Sequence, residues 1–302
     1  MNDVYAALAR AIPPQRLLKD APMRDHTTMR VGGPADVLAD AAGEDDVRAV
    51  LAVCRACGAK LTVIGNGSNL LVRDGGIRGV VLRVGRHMAD IRVQGEQIEA
   101  QAGATLSALA QAAARANLAG VAALSGIPGT LGGAAVMNAG AYGGEMSQVV
   151  QGVCALDGEG RDVRLDAQAL AYGYRRSALM GAGLIVTRVR MRLTPGDGAA
   201  LLEEMTELAR RRREKQPLDW PSAGSTFKRP AQGYAAQLID EAGLRGLRVG
   251  GAQVSQKHTG FIVNAGGATA RDVLELMARI QQAVFERSGV RLEPEVRILG
   301  EE

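Results

Sequence analysis

Aromatic residues are scarce: Phe, Tyr and Trp together make up 3% of the 302 residues. A surface that stacks nucleobases needs exposed rings, so the scarcity argues against a nucleic-acid partner. A core with so few rings must rely on Ala, Val, Leu and Gly, which favours close-packed helices and tight loops. Cysteine is equally sparse. Cys54, Cys57 and Cys154 are an odd set that makes no disulfide framework. Cys54 and Cys57 form a C-x-x-C, but Val47, Val50, Leu51 and Cys54 recur at helical spacing between Glu44 and Gly58. Both are therefore expected as buried helical residues, not as a redox pair where a strand meets a helix. Three histidines without paired spacing and a single cysteine pair point to no metal site. Long apolar runs are missing too. Ala108 to Leu124 is interrupted by Gln111, Arg115 and Asn117, too polar to cross a bilayer. Met1 to Arg10 lacks the basic start and apolar core of a signal peptide. The expectation is a soluble, cytoplasmic protein with no membrane partner.

What is present is ordinary for a globular chain: 47% hydrophobic and 23% charged residues. The length suits two domains or one large α/β unit. A formal charge of +4 suits anionic small ligands as well as a polyanion, and identifies no partner by itself.

Residues 1 to about 25 read as a helix stopped by Pro13 and Pro14. From Thr27 onward, short β-branched runs alternate with helices. Strands are expected at Thr62–Ile64, Leu70–Val72 and Gly79–Val84, with a hairpin at 91–93 and 97–100 around Gln94-Gly95-Glu96. Thr105 caps a helix from Leu106 to about Ala116. The passage from Ser125 to Glu145 is too rich in glycine for a regular element. Strands return at 149–156 and 183–193, with a loop carrying Tyr174 and Arg175 between them. Thr194 to Gly198 reads as a linker. Helices at 199–215, 234–242 and 270–288 and strands at 260–264 and 295–299 complete the chain. Hairpins mixed with helices predict an α+β fold.

Two loops carry the chemistry. Gly65-Asn66-Gly67-Ser68-Asn69-Leu70 follows a strand, where a dinucleotide fingerprint would be sought. The Rossmann spacing fails, because Leu70 stands where the third glycine belongs. What remains is a loop whose glycines bare backbone N–H groups and whose Ser68 and Asn69 add donors, which suits a pyrophosphate. Taken alone, the same residues fit a plain polar turn slightly better. The second loop contains Gly126-Ile127-Pro128-Gly129-Thr130 and then Gly132 and Gly133. Its glycines let backbone approach a flat ligand, and Pro128 lowers the entropy cost of ordering it. Ile127, Leu131, Ala134, Ala135, Val136 and Met137 argue that it is buried against something.

With Thr28 to Asp36 in front, these loops resemble the FAD-binding domain of the vanillyl-alcohol oxidase class. Tyr174-Arg175-Arg176-Ser177, Gly224-Ser225-Thr226-Phe227-Lys228 and Leu292-Glu293-Pro294-Glu295-Val296 narrow the resemblance to the UDP-N-acetylenolpyruvoylglucosamine reductases, over about residues 20 to 300. Met29 stands where that family usually has Phe, and Arg229 where Asn is common. The stretch between Arg175 and Ser225 lacks the insertion that folds a tyrosine over substrate in one branch of the family.

The resemblance implies a bipartite FAD-binding domain, with subdomains at 1–80 and 81–195, and an α+β substrate domain at 199–302. It implies non-covalent FAD held by Gly65 to Leu70 and by Gly126 to Thr130 with Gly132 and Gly133, and NADPH as hydride donor. The substrate implied is the enolpyruvyl ether of a UDP-sugar, reduced to a lactyl ether. Ser225 would supply a proton, helped by Lys228, Arg175 would hold the enolate oxygens, and Glu295 would be a second acid–base or electrostatic partner. Tyr174, Lys215 and Lys228 would contact substrate. Pro294 fixes the backbone before Glu295, and alternation puts Glu295 and Arg297 on one face with Val296 and Ile298 toward the core. Each residue also has a blander explanation: Ser225 as a turn residue, Arg175 as a surface arginine, Glu295 as half of an exposed ion pair worth little. His258 reads as structural and Arg210 to Arg213 as a solvated helix end suited to the helix dipole. A flavin oxidase of the same fold would be favoured by covalent flavin, but neither loop holds a His or Cys. A nucleotide sensor without turnover has no need of the Ser–Arg–Glu set.

Overall fold

The computed structural model describes residues 1–302. Contacts divide the chain into two interleaved compact units. The first comprises Met1–Lys19, Val37–Asn66 and Gly79–Arg212; the second comprises Asp20–Asp36, Gly67–Arg78 and Arg213–Glu302. These units differ from the three consecutive segments expected from sequence, because short early segments belong with the C-terminal unit.

In the first unit, helix α1 (Asn2–Leu8) and helix α2 (Glu44–Cys57) pack together. Val47, Val50, Leu51 and Cys54 are the buried face of α2, as the spacing predicted. Cys54 is buried, and burial pushes its thiol up to about 11. Cys57 is exposed, contrary to expectation, because it lies in the last turn beyond the buried stripe. The strand Leu61–Ile64 runs parallel to Ile77–Val84. A second sheet is antiparallel throughout, in the order Asp162–Asp166, Val150–Leu156, Ile185–Arg192, Gln97–Gln101, Ile91–Gln94. Its first strand was not foreseen. Helix α3 (Leu106–Arg115) starts at Thr105, whose hydroxyl accepts from Ala108 N at 3.1 Å.

Three further expectations fail here. The N-terminal helix ends at Leu8, and Leu17–Pro22 is a strand. The Gly-rich passage contains helix α4 (Leu131–Met137), capped by Thr130, with Leu131, Ala134 and Ala135 buried on one face. Apolar residues at helical spacing prevail there over the glycine penalty of about 1 kcal/mol each. The expected linker is stitched down. Thr194–Pro195 pairs with Leu118–Ala119, and Asn117 accepts from Gly196 N (2.8 Å) and Gly198 N (3.0 Å). Helix α5 (Gly198–Lys215) follows directly.

The second unit has an antiparallel sheet in the order Ser222–Ser225, Phe261–Asn264, Ala252–Val254, Arg248–Val249. Helices α6 (Ala235–Glu241) and α7 (Ala270–Ser288) complete its core with Met29, Val31, Leu71 and Phe227. Leu70–Val72 pairs in parallel with Arg297–Leu299. Val296 is buried as expected, but Ile298 is 36% exposed, so alternation does not carry it to the core. No helix of the protein is long and apolar enough to cross a membrane.

Candidate active site

The first unit brings two predicted loop segments together. A Cβ on Gly65 would lie 2.3 Å from Thr130 Oγ1, and one on Gly132 would lie 2.8 Å from the Ala102 side chain. Only glycine permits these approaches. The N–H groups of Leu131 and Gly132 donate to the carbonyls of Ala104 (2.8 Å) and Ala102 (2.7 Å), and Thr130 Oγ1 accepts from Gly133 N at 3.4 Å. The first turn of α4 is therefore anchored to its own unit by its donors. Gly133 is exposed, and a Cβ there would meet nothing closer than 3.5 Å, so its face is open backbone. Ile127 packs on the core, while Gly126 and Pro128 are exposed and Gly129 half-buried.

Arg212, on α5, lies against this loop: its Nη1 donates to the Gly126 carbonyl, and its Nε is buried without a protein partner. An open glycine face beside an unsatisfied buried donor fits a flat anionic cofactor such as FAD. Sequence hides Arg212 among four consecutive arginines. The signal that marks it is the row Leu201, Met205 and Leu208, half-buried on α5, which Arg212 continues at helical spacing.

Arg175 also belongs to the first unit. Its Nη2 donates to the Gly140 carbonyl at 3.0 Å and its Nη1 to the Asn138 carbonyl at 3.4 Å. The guanidinium carbon sits 5.2 Å from the ring centre of Tyr174, which is 55% exposed. The guanidinium thus reaches two backbone carbonyls at the edge of the Gly-rich passage.

The segments that carry Ser225 and Glu295 meet in the second unit. Gly224 has φ +78° and sits at a register shift in the strand, and Ser225, the strand's last residue, is exposed opposite Phe261. A bulge with glycine in the left-handed region re-aims the following side chain. Thr226 is then fixed from all sides. Its N–H donates to Gly260 O (2.9 Å), its Oγ1 accepts from Ile262 N (3.1 Å), and its carbonyl accepts from Glu295 N (2.9 Å). Phe227 bridges to Pro294, and Lys228 N donates to Glu293 O at 2.8 Å. The backbones of the serine and glutamate motifs are thus laced together from Thr226 to Lys228.

Asn69 adds a clamp that sequence did not reveal. Its Nδ2 donates to the Glu295 carbonyl at 3.1 Å, and its own carbonyl accepts from Arg297 N at 2.9 Å. Its amide braces the segment that leads into the strand Arg297–Leu299; that strand begins two residues later than expected, so Glu295 lies just before it and not in it. Gly67 is needed at the same corner, where a Cβ would strike the His26 carbonyl at 2.3 Å. Thr28 to Asp36 belongs to this unit as well. Thr28 Oγ1 donates to Ser222 O at 2.6 Å, and Asn264 Nδ2 donates to the carbonyls of Met29 and Arg30. Lys228 Nζ pairs with Glu293 at 3.1 Å, and Lys215 is exposed at the end of α5. His258 is structural: its Nδ1 accepts from Gly260 N at 3.2 Å and its ring meets Phe261 edge-on. Ion pairs fill an open cleft of about 460 Å³ lined by Arg16, Glu44, Asp46, Arg48 and Arg188, which contains none of the predicted residues.

Residues 216–299 match the C-terminal domain of UDP-N-acetylenolpyruvoylglucosamine reductase, and residues 35–166 match an FAD binding domain. The chain is 48% identical to the UDP-N-acetylenolpyruvoylglucosamine reductase of Levilactobacillus brevis, over 99% of this chain and 98% of that one. It is 45% identical to the enzyme of the same name from Clostridioides difficile, over 100% and 99%. The chain belongs to the UDP-N-acetylenolpyruvoylglucosamine reductase family. The crystal structure of the Thermus caldophilus reductase superposes with a TM-score of 0.80 at 39% identity, covering 93% of this chain and 97% of that one. An alkyldihydroxyacetonephosphate synthase, 15% identical with a TM-score of 0.51 over 65% of this chain, shares the fold alone. Within the reductase family this chain is an FAD-dependent oxidoreductase of mixed α+β architecture.

Proposed function

We propose that the protein reduces the enolpyruvyl ether of UDP-N-acetylglucosamine to the lactyl ether, UDP-N-acetylmuramate, a step toward peptidoglycan. The observation that carries this reading is the lacing of the Ser225 and Glu295 motifs through the Thr226 carbonyl, in a chain of this family. We assign FAD binding to the first unit, through Gly65, Asn66 and Gly126 to Gly133, and substrate binding to the second together with Tyr174 and Arg175 of the first. FAD bound there would supply two-electron redox chemistry, with NADPH as the reductant and the enolpyruvyl double bond as the acceptor.

The chain's own residues then handle charge and protons. Negative charge develops on the carbon next to the ether oxygen and spreads into the carboxylate. Arg175, a planar donor that stays charged, stabilises those oxygens. Ser225 gives its hydroxyl proton to the carbanionic carbon, which is a strong enough base to take it. Glu295, held after Pro294 by its N–H to the Thr226 carbonyl, is the acid–base partner. Tyr174, Lys215 and Lys228 contact the sugar nucleotide, Lys228 by exchanging its partner Glu293 for substrate. NADPH and UDP-sugars place this reaction in the cytoplasm.

Incubation with NADPH and the enolpyruvyl sugar nucleotide tests the reading by mass spectrometry. The product is expected two hydrogens heavier than the substrate, with deuterium incorporated when the reaction runs in D2O. NADPH oxidation that leaves the sugar nucleotide unchanged would contradict it.

A further inference from the structure

Arg175 occupies a demanding place in the backbone. Gly173 and Arg176 exchange backbone hydrogen bonds of 2.9 and 3.1 Å, which leaves Tyr174 and Arg175 at the tip of a tight turn. Arg175 has φ +51°. Turn positions with positive φ favour Gly or Asn, so an arginine there must be held by its surroundings.

Asn138 does the holding. It closes α4 in the left-handed region, with φ +44°, and is 1% exposed. Its Nδ2 donates to the Gly173 carbonyl at 3.1 Å, the first residue of the turn. Its Oδ1 accepts from Ser147 N at 2.9 Å. Its main-chain carbonyl accepts from Arg175 Nη1. One buried residue therefore fixes both ends of the arginine: the turn that carries its backbone and a carbonyl that receives its guanidinium. Ser177 Oγ adds a second tie, donating to Val136 O at 2.6 Å.

We propose that Asn138 is a positioning residue for the reaction, aiming the guanidinium of Arg175 through the Gly173–Arg176 turn. The proposal rests on the reading of Arg175 as the group that holds the enolate carboxylate. A helix cap alone would need only the left-handed backbone, which glycine supplies at least as well. The side-chain amide, satisfied at both ends, is what a cap does not explain.

Two variants of the FAD-loaded protein separate these roles. Asn138→Gly keeps the left-handed cap and removes both amide bonds. Asn138→Asp keeps the acceptor for Ser147 and sets a carboxylate against the Gly173 carbonyl. Both are expected to slow reoxidation of the reduced enzyme by the enolpyruvyl substrate by ~10–100-fold, the scale of a misplacement of about 1 Å. Reduction by NADPH should keep its wild-type rate. Calorimetric titration with the lactyl product, which needs no turnover, should show weaker binding. The deciding readout is coupling to Arg175→Ala: the double variant should be no slower, and bind product no more weakly, than Arg175→Ala alone. Additive losses, or wild-type reoxidation in Asn138→Gly, would overturn the proposal. If Arg175→Ala itself reoxidises at the wild-type rate, the reading of Arg175 falls and the proposal with it. Should Asn138→Gly fail to retain FAD, Asn138→Asp decides in its place by the same criteria.

Discussion

Ser225 is a weak acid, so its task is feasible only against a strongly basic carbon in a fixed position. Gly224 and the bonds around Thr226 provide that position. Ser225→Ala should therefore leave flavin reduction by NADPH intact and slow reoxidation by the enolpyruvyl substrate ~10²–10⁴-fold, the usual loss of a positioned acid. Glu295→Gln should show the same asymmetry. Stopped-flow traces of the two half-reactions check both, and equal slowing of both halves in Ser225→Ala would mean that the serine positions a ligand instead. A pH effect belongs at this scale too. Burial pushes the His258 imidazole below its ordinary value, with Arg245 adding to the shift and the backbone bond of His258 opposing it. The unfolded chain then takes up this proton first on acidification. Its contribution to stability is full above about pH 6.5 and declines as pH falls toward the depressed folded value. Melting temperatures of wild type should fall more steeply below about pH 6.5 than those of His258→Gln; parallel curves would remove His258 from the account. The motifs around Ser225, Arg175 and Glu295 were legible from their distinctive order. Asn138, Arg212 and the clamping role of Asn69 were not, because their meaning lies in backbone partners far away in sequence.

Caps and close approaches decide matters at the level of elements. Gly132 and Gly133 are neighbours with opposite surroundings, which makes them a controlled pair. A side chain on Gly132 collides with Ala102, so Gly132→Val should destabilise α4 and lower the melting temperature even without flavin. Gly133 has room, so Gly133→Val should leave the melting temperature of the apoprotein nearly unchanged and cost flavin affinity, measured by fluorescence on FAD titration. Wild-type affinity in Gly133→Val would mean that the cofactor does not approach this face. Helix α7 offers a purely structural control. The Asp74 carboxylate accepts from Ala270 N (2.8 Å) and Arg271 N (2.9 Å), beside a capping box between Thr269 and Asp272. Asp74→Ala should cost about 1–2 kcal/mol in denaturant unfolding while both half-reactions persist. Helices with a clear cap and apolar stripe, α2, α3 and α7, could be read within a residue or so of their ends. Helix α4 could not, because glycine density concealed its buried face. The stretch from Thr194 to Gly198 has linker composition, yet Asn117 binds it down, and composition alone cannot register such a tie.

Over the whole molecule, the α+β class and the reductase family were legible, while the division of the chain was not. A division by sequence assumes consecutive domains. The compact units are instead assembled from three segments each. The assembly has a physical rationale in the second unit, where Asn69 braces Glu295, Thr28 ties the early segment to the serine strand, and Asn264 ties it to the strand beside that one. If this scaffold passes electrons from NADPH through bound FAD to an enolpyruvyl sugar nucleotide, anaerobic absorption spectra of the purified protein will show it. A yellow protein is expected, whose flavin leaves on denaturation, is bleached by NADPH, and recovers its colour on adding the enolpyruvyl substrate. A colourless protein that cannot be reconstituted with FAD, or a reduced flavin that the substrate leaves bleached, would contradict it.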